Sequence, residues 1–370
     1  MPKEDKKKLV LLSAFYEPYM SGAEQMVKEI VERLGGNYET TLITGRFDKK
    51  LPKIEERKTF KLIRVGVGHK QLDKLFYPFL AALKTRKIKP DIAHAIMESY
   101  AGGALVLVKY FYPSAKRILT LQSGDLDSIV KQNKFIVSFF FKKIHTSPNM
   151  VTAISSFLAE RAKRLGVPSE KIFITPNGVD FSEVPKNVEK IINRVVCVGR
   201  LSWEKGHNYL IKAWPEVKKE ISDAQLVFVG EGDKRKEIEQ MIKDLNISDS
   251  VTLLGNQPHK QALLEIKKSE VFICPSLAEG LGNVFIEAQA CGVPLIGTRV
   301  GGIPDIITDR ENGLLIEPKN SQAIARAIIT LLKDKDLAHS LASRSLETVK
   351  KFKWEVIINK IKDLYQKLIV

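Results

Sequence analysis

Cysteine is scarce in this sequence of 370 residues, and the three cysteines form no recognisable framework. Cys197, Cys274 and Cys291 each lie in an apolar strand or helix context and lack the spacing of metal ligands. A disulfide-stapled secreted domain is therefore excluded as the basis of the fold. We interpret the three cysteines as reduced core residues, which predicts a cytoplasmic protein.

Long hydrophobic runs are missing as well. No stretch reaches the roughly 18 apolar residues that a membrane-spanning helix needs. The first apolar run, residues 9–14, follows a basic N-terminus but is too short for the core of a signal peptide, and we predict it to be the first strand. Any contact with a membrane is therefore expected to be peripheral, at the cytoplasmic face.

Negative charge is in short supply, mainly in the first half of the chain. The net charge is +16, with 33 Lys and Arg against 20 Asp and Glu up to residue 190, and 26 against 23 in the remainder. This asymmetry indicates an anionic partner, which can be nucleic acid, acidic lipid or a phosphorylated substrate; solubility alone is the alternative. Because the sequence shows no aromatic and basic recognition motif, we expect no nucleic-acid partner.

The sequence does contain a regular alternation of short apolar strands and amphipathic helices. Its length, with 44% hydrophobic and 28% charged residues, predicts a globular enzyme of two domains, joined by the polar stretch 181–193. Strands are predicted at residues 9–14, 40–44, 60–65, 91–96, 117–121, 150–153, 195–198, 225–229, 251–254, 271–274 and 295–298. Helices are predicted at residues 23–34, 101–110, 208–220, 234–245, 261–268 and 283–291. This order predicts an α/β fold with two doubly wound parallel sheets.

Residues 275–304 combine two carboxylates with many glycines. Glu279 lies in a glycine-rich loop directly after the predicted strand 271–274, and Glu287 lies in the first turns of the helix that follows. Gly292 is suited to close that helix. Ligands bind beyond the carboxyl ends of strands in open α/β sheets, so this stretch is predicted to cradle a nucleotide sugar.

Two cations follow another predicted strand. Arg200 and Lys205 come directly after residues 195–198, at the carboxyl end of that strand. An arginine fork and a lysine point charge can clamp a pyrophosphate. Taken alone, the pair is better explained as ordinary surface residues.

Together these motifs resemble glycosyltransferase family 4, a family of retaining enzymes with the GT-B architecture. The resemblance is carried by Gly199-Arg200-Leu201 with Lys205-Gly206, by Pro275-Ser276 with Glu279 and Glu287, and by Gly301-Gly302-Ile303-Pro304. It continues at Ser21-Gly22-Ala23-Glu24, Asn177-Gly178-Val179-Asp180, Asn312-Gly313-Leu314-Leu315 and Phe352-Lys353-Trp354-Glu355. The match therefore extends along almost the whole chain.

The resemblance implies two Rossmann-like domains that face a central cleft. Residues 1–183 would bind the acceptor, residues 191–350 would bind the donor, and residues 351–370 would form a helix that packs back on the first domain. The implied activity is transfer of a hexose-type sugar from a UDP- or GDP-sugar to a glycan or lipid-linked acceptor, with retention of configuration. A related fold with nucleotide-sugar epimerase activity is the alternative, and a basic nucleic-acid-binding protein is a further one.

The resemblance also assigns roles on the donor side. Glu287 would accept hydrogen bonds from the ribose hydroxyls, and Glu279 would contact the transferred sugar. Arg200 and Lys205 would neutralise the diphosphate as the glycosidic bond breaks. The remaining donor contacts are expected in the loop that begins the helix, at Gly280, Leu281, Gly282 and Asn283. Neither carboxylate is expected to act as a nucleophile, so same-face attack assisted by the leaving phosphate is the expected mechanism.

The first domain departs from the family pattern. Gly22 is expected to bring its N–H near the donor phosphate. His94 is a candidate catalytic residue, but the family's second histidine is replaced by Ile96, and a hydrogen-bonded core histidine is the alternative. Gln122 stands where relatives often have histidine and is expected to shape the acceptor side. Asp125-x-Asp127 resembles a metal-binding signature of another architecture, and we interpret it as chance; no required metal or cofactor is expected.

Residues 134–143 form an apolar segment with three consecutive phenylalanines between lysines. A buried helix is one interpretation. The other is an interfacial segment whose phenylalanines dip into lipid while Lys131, Lys134, Lys142 and Lys143 meet anionic head groups. The second interpretation, together with the basic first half, favours a lipid-linked acceptor and an anionic membrane surface.

Overall fold

The chain folds into two compact units with a discontinuous boundary. The computed structural model describes residues 6–34, 36–123 and 135–369, and for residues 135–138 it describes the backbone only. Unit 1 comprises Met1–Asn177 together with Trp354–Val370, and unit 2 comprises Gly178–Lys353. The chain therefore leaves unit 1, builds all of unit 2, and returns to unit 1 for its last helix.

Unit 1 is built on a sheet whose strands run in the order β3-β4-β2-β1-β5-β6-β7-β8. These strands are Lys8–Leu12 (β1), Glu39–Gly45 (β2), Ile54–Glu56 (β3), Lys61–Val65 (β4), Ile92–Ile96 (β5), Lys116–Leu121 (β6), Met150–Ala153 (β7) and Ile172–Ile174 (β8). All neighbours pair in parallel except β3, which runs antiparallel to β4. The central strands are buried almost throughout, as expected for a parallel sheet with both faces covered.

Helices cover this sheet and include the C-terminal segment. They are Gly22–Leu34 (α1), Lys70–Ile88 (α2), Tyr100–Phe111 (α3), Phe135–Thr146 (α4), Ser156–Arg164 (α5) and Trp354–Ile369, which is named α12 in chain order. Helix α12 packs against α1, and Arg33 Nη1 lies 2.8 Å from Glu355 Oε1. The Tyr38 and Tyr365 rings meet edge to face at 5.7 Å. Through these contacts α12 is part of unit 1.

Unit 2 has a fully parallel sheet with the order β11-β10-β9-β12-β13-β14. Its strands are Arg194–Val198 (β9), Gln225–Val229 (β10), Val251–Leu253 (β11), Val271–Cys274 (β12), Leu295–Thr298 (β13) and Leu314–Ile316 (β14). Its helices are His207–Glu220 (α6), Arg235–Asp244 (α7), His259–Lys267 (α8), Asn283–Ala290 (α9), Ser321–Lys333 (α10) and Lys335–Thr348 (α11). Together the two units confirm the predicted fold class, two doubly wound α/β units of the GT-B type.

Helix α2 is the largest element that the sequence did not predict. Pro78 lies in its interior, and an internal proline removes a helical hydrogen bond. The helix nevertheless forms because Tyr77, Ala81, Ala82 and Thr85 make a buried stripe, and the helix packs closely on α3. Packing therefore overrides the local signal against a helix. The strands β3, β8 and β14 and the helices α5, α10 and α11 were also not predicted.

Within residues 6–34, 36–123 and 135–369, no helix is both long enough and apolar enough to cross a bilayer.

Candidate active site

The predicted donor motifs leave the sheet of unit 2 from two neighbouring strands. The chain crosses from one side of the sheet to the other between β9 and β12, which are hydrogen-bonded neighbours in its centre. In open α/β sheets such a switch point, at the carboxyl ends of the strands, is where ligands bind. Residues 199–206 follow β9 and residues 275–282 follow β12, so both loops begin at this position.

The two loops interlock through their backbones. The Leu277 N–H donates to the Glu204 carbonyl over 2.7 Å. Gly206 has φ of 65°, and a Cβ at this residue would lie 2.2 Å from the Pro275 carbonyl oxygen. A side chain is therefore excluded there by both the backbone conformation and the contact. The glycine of the first motif is needed for the second motif to approach it.

A third motif supports the same loop from the other side. Gly301 has φ of 54°, and a Cβ would lie 1.8 Å from the Glu279 carbonyl oxygen. Thr298, at the end of β13, donates its hydroxyl to the Ser276 carbonyl over 2.6 Å. The three motifs, far apart in sequence, thus form one supported structure that fixes the backbone of Glu279.

Lys205 and Glu279 form an ion pair at the centre of this structure. Their side chains are only 14% and 11% exposed, and the Ser276 hydroxyl donates to the same Glu279 oxygen over 3.0 Å. Burial alone would lower the pKa of the Lys205 ammonium, but the Glu279 carboxylate outweighs burial and raises that pKa above its usual range. Lys205 is therefore a fixed, permanently charged cation, held by the carboxylate that was predicted to contact sugar.

Arg200 differs from Lys205 in its exposure. Its side chain is 75% exposed, and its Nη2 lies 3.2 Å from Glu204 Oε1. Exposed ion pairs of this kind contribute little to stability, so an anionic ligand can take over the guanidinium at low cost. Of the two predicted phosphate-binding cations, one is rigid and shielded and the other is open to solvent.

The loop 280–282 leads into helix α9. Leu281 is buried at 1% exposure and anchors the loop, while Gly282 caps the helix that begins at Asn283. No side chain caps this helix start. The first N–H groups of a helix have no acceptor within the helix and favour anions. Gly280, Leu281, Gly282 and Asn283 therefore connect Glu279 of the ion pair directly to the positive end of α9.

Glu287 lies further along α9 and has a partner that the sequence did not indicate. His259, the first residue of α8, places Nε2 3.1 Å from Glu287 Oε1 and Nδ1 3.0 Å from Glu183 Oε2. Hydrogen bonding to Glu287 raises the pKa of His259, against the opposing effect of burial. Only the position of His259 at the start of a helix that packs on α9 links it to the site, and no motif marks it.

In unit 1, Gly22 is the first residue of α1, one position before the predicted start of that helix. The Ser21 hydroxyl donates to the Glu24 carboxylate one turn into the helix. Burial raises the pKa of Glu24, against the effect of this hydrogen bond. The Ser21 side chain thus holds the start of α1.

His94 is enclosed in unit 1. It is 1% exposed, Nδ1 lies 2.6 Å from the Tyr365 hydroxyl, and Nε2 lies 2.6 Å from the Thr120 hydroxyl. Burial lowers the pKa of His94 to about 3, so the ring is neutral at neutral pH. With both ring nitrogens engaged by protein hydroxyls, these contacts favour the core alternative over the predicted catalytic role.

Gln122 lies just beyond the carboxyl end of β6 in a polar network. Its side-chain amide exchanges hydrogen bonds of 3.2 and 3.1 Å with the Asn177 amide, and its N–H donates to Glu98 over 3.0 Å. Glu98 is fully buried and forms an ion pair with Arg161. Sequence analysis identified Gln122 but not the buried Glu98 and Arg161, because neither residue belongs to one of the family motifs.

Asp125, Asp127, Lys131 and Lys134 lie outside the described residues. Among residues 6–34, 36–123 and 135–369, no three His, Cys, Asp or Glu side chains are grouped so that they can hold a metal ion.

The structure brings the donor motifs together in unit 2 around Lys205 and Glu279. Gly22, His94 and Gln122 are positioned within unit 1.

Comparisons with known proteins identify the class of protein that this fold and site define, a glycosyltransferase. Residues 181–348 match the family described as glycosyl transferases group 1. Residues 20–183 match the family described as glycosyltransferase family 4. The chain belongs to glycosyltransferase family 4, as its motifs predicted.

Individual relatives agree with this assignment. The chain is 30% identical over 345 residues to a GDP-mannose-dependent phosphatidylinositol monomannoside mannosyltransferase of Mycolicibacterium smegmatis, covering 88% of this chain and 89% of the relative. It is 29% identical to an uncharacterised glycosyltransferase of Methanocaldococcus jannaschii, over 97% and 98% of the two chains.

Solved structures show the same fold at low sequence identity. Sucrose-phosphate synthase of Thermosynechococcus elongatus has a TM-score of 0.83 at 21% identity, covering 98% of this chain and 99% of the other. HepE of Anabaena, solved with UDP and glucose, has a TM-score of 0.79 at 18% identity, covering 98% and 100%.

Proposed function

We propose that this glycosyltransferase moves a hexose-type sugar from a UDP- or GDP-sugar to a glycan or lipid-linked acceptor, with retention of configuration and at the cytoplasmic membrane face. The observation that carries the proposal is the shielded Lys205–Glu279 pair, whose carboxylate lies in the loop that leads into α9. A fixed cation near the N-terminus of a helix suits a diphosphate. Relatives named for GDP-mannose or solved with UDP support a nucleotide-sugar donor.

Each donor-side group then has a defined role. Lys205 and Arg200 neutralise the charge that develops on the leaving diphosphate, where preorganised cations act most strongly. Glu287 accepts hydrogen bonds from ribose hydroxyls, since a carboxylate has room for several donors. Glu279 orients the sugar through its remaining lone pairs while it holds Lys205. The leaving phosphate receives the acceptor proton on the same face, so neither carboxylate acts as a nucleophile. We propose no further cofactor.

Thermal-shift measurements with UDP-, GDP- and ADP-sugars test the donor assignment. A ligand that binds only the folded state raises the melting temperature by an amount set by its affinity. We expect a shift with a UDP- or GDP-sugar, and loss of most of that shift in Glu287→Ala. Glu216→Ala, an exposed glutamate on α6, serves as the matched control. Absence of any shift with all three nucleotide classes would contradict the proposal, and sugar conversion without an acceptor would favour the epimerase.

A surface of unit 1 suggests how a lipid-linked acceptor is reached. Helix α2 exposes an apolar stripe at the i, i+3, i+4 and i+7 positions, formed by Leu72, Leu75, Phe76 and Phe79, which are between 47% and 70% exposed. On α4, Phe139 and Phe140 are 57% and 61% exposed. An apolar stripe that faces solvent on a helix is typical of segments that lie in a lipid interface.

Helix α3 links these two exposed groups. The Phe79 ring of α2 meets the Phe111 ring of α3 at 5.8 Å. The neighbouring Tyr110 has the Lys143 ammonium of α4 6.0 Å from its ring centroid. Apolar and basic groups thus follow one another across α2, α3 and α4. In the half of the chain with 33 basic against 20 acidic residues, this face suits an anionic bilayer.

Sedimentation with vesicles of phosphatidylglycerol tests this surface. We expect binding at low salt, and its loss in the double variants Leu75→Ser with Phe76→Ser and Phe139→Ser with Phe140→Ser. Ile192→Ser, which changes an exposed apolar residue of unit 2, should bind as the unmodified protein does. Equal binding by all variants, or no binding by the folded parent, would remove the membrane part of the proposal.

A further inference from the structure

Glu287 is held by a bridge that no sequence motif marks. His259 begins α8 and stands between two carboxylates, Glu287 on α9 and Glu183 at the end of the short 3-10 segment Phe181–Glu183. The nitrogen–oxygen distances are 3.1 Å to Glu287 and 3.0 Å to Glu183. The His259 side chain is 51% exposed, so it can exchange protons with solvent.

The geometry requires a protonated ring for both contacts. An ionised carboxylate can only accept hydrogen bonds, and a neutral imidazole carries a single N–H. Two hydrogen bonds to two carboxylates therefore need the imidazolium, which donates from Nδ1 and Nε2 at once. When His259 loses its proton, one of the two contacts must be given up.

The charged surroundings of His259 agree with this requirement. The elements that pack on α8 are α9, which contributes Glu287, and β9, whose Arg194 is already paired with Glu265. Glu183 completes the acidic side, and Lys260, next in sequence, is exposed. The start of a helix disfavours a cation, so the two carboxylates are the groups that stabilise the imidazolium. Hydrogen bonding to Glu287 and the charges of the two carboxylates raise the pKa of His259, against the opposing effect of burial.

We propose that protonated His259 is a positioning residue for the nucleotide sugar, because it fixes the Glu287 carboxylate in the orientation that receives the ribose hydroxyls. This inference rests on the proposed function of Glu287. Oε1 of Glu287 is engaged by His259, and Oε2 keeps its lone pairs for ligand. Loss of the His259 proton removes the charge that supports both contacts, so the Glu287 carboxylate is held less firmly and donor binding weakens as pH rises, while the cations that act on the diphosphate are untouched.

Calorimetric titration of UDP-glucose and GDP-mannose tests this, using the one that raises the melting temperature of the full-length protein. The diphosphate of a nucleotide sugar has no proton to lose in the range used, about pH 6 to 8, and this range lies below the pKa of the uracil or guanine N–H, so the charge of the ligand stays constant. We expect the Kd to rise about tenfold across this range, the value of one charge-assisted hydrogen bond. His259→Gln should show the weak Kd at every pH, with a flat profile.

Two further variants separate positioning from general damage. Glu183→Gln removes one carboxylate from His259, so its Kd should match the parent at low pH and should rise at a lower pH than in the parent. His339→Gln, an exposed histidine on α11, should behave as the parent throughout. Slow hydrolysis of the nucleotide sugar without acceptor gives the kinetic readout, and in His259→Gln we expect a higher KM with kcat changed by less than about twofold.

The outcomes distinguish this inference from the function on which it rests. If Glu287→Ala weakens donor binding but His259→Gln binds as the parent does, or if the parent shows a flat pH profile, the role of His259 is refuted and that of Glu287 stands. If Glu287→Ala binds normally, the proposed function itself fails. A fall in kcat with unchanged KM in His259→Gln would also overturn the positioning role. A misfolded His259→Gln leaves the profile of Glu183→Gln to decide.

Discussion

Unit 1 and unit 2 share one architecture, yet they treat polar groups near the carboxyl ends of their strands in opposite ways. In unit 2, Lys205 and Arg200 form ion pairs with Glu279 and Glu204 in the loops that follow β9 and β12, and the Arg200 side chain stays 75% exposed. In unit 1, the polar groups described bind one another and are buried: His94 with Thr120 and Tyr365, Glu98 with Arg161. The same fold thus leaves a cation open to solvent in one unit and encloses its polar groups in the other.

This contrast separates the residues proposed to act on a substrate from the residues that stabilise the fold. Charges that act on a substrate must be fixed before the substrate arrives, and Glu279 and Ser276 do this for Lys205. Buried polar groups that satisfy each other instead specify one arrangement of the unit that contains them. We therefore expect substitutions in unit 2 to change rate or donor affinity, and substitutions in the polar networks of unit 1 to change stability.

The largest expected effect is on Lys205. Lys205→Ala should lower hydrolysis of the nucleotide sugar by about 10² to 10³, the range seen when one preorganised charge-stabilising group is removed. It also leaves Glu279 buried without its cation, so the melting temperature should fall. The double variant Lys205→Ala with Glu279→Gln should recover stability but not rate, and Lys212→Ala, an exposed lysine on α6, should retain both. A stable double variant with the parental rate would break the contrast.

His94 should show a large effect of the opposite kind. His94→Asn loses two buried hydrogen bonds, and we expect the free energy of unfolding to drop by about 2 to 4 kcal/mol in urea titrations. Tyr365→Phe, which removes one of the two partners, should lose less. Activity per folded molecule should stay within about twofold for both variants. A well-folded His94→Asn protein without activity would restore the catalytic role that the sequence suggested.

The same histidine gives a pH test. Its pKa is lowered to about 3 in the folded protein, while the unfolded chain binds the proton below about pH 6.5. The unfolded state therefore binds more protons between these values, and stability should fall as pH falls from about 6.5 toward 3. His94→Asn should flatten this part of the stability profile, measured by denaturant titration at a series of pH values. An unchanged slope would mean that other groups dominate.

The smallest effect is expected at Gln122. Gln122→Ala removes the reciprocal amide contact with Asn177, and we expect a loss of about 1 to 2 kcal/mol in stability. The Kd for the nucleotide sugar should stay within about twofold of the parent, with Asn177→Ala as the matched variant. Donor binding that weakens strongly in Gln122→Ala would show that this part of unit 1 serves the donor, and would sharpen the division between the units.

Much of the fold could be predicted because parallel strands that are buried on both faces occur in the sequence as short apolar runs. The bounds of β7, β10, β12 and β13 were predicted without error. Helix α2 could not be predicted in this way, because its apolar stripe faces solvent and Pro78 interrupts its pattern. Its stability comes from packing on α3, which local sequence does not encode.

The candidate site divides along similar lines. Glu279, Arg200 and Lys205 could be found because each lies in a glycine-containing loop after a strand. Glu287 could be found because it belongs to the same family motif as Glu279, in the helix that follows. The pairing of Lys205 with Glu279, and the bridge from His259 to Glu287, join residues separated by 74 and 28 positions. Such contacts depend on the order of strands in the sheet, and a single sequence does not state that order.

The discontinuous boundary of unit 1 has a consequence for synthesis on the ribosome. Unit 2 is one continuous segment, Gly178–Lys353, whereas unit 1 is completed by Trp354–Val370. Protein chains emerge from the N-terminus, and domains fold as their residues become available. Unit 2 can thus finish before unit 1, although unit 1 contains the first residues made. Helix α1 gains its contacts with α12, and His94 gains its hydrogen bond to Tyr365, only after α12 has been synthesised. Unit 1 therefore stays incomplete until this helix emerges from the ribosome.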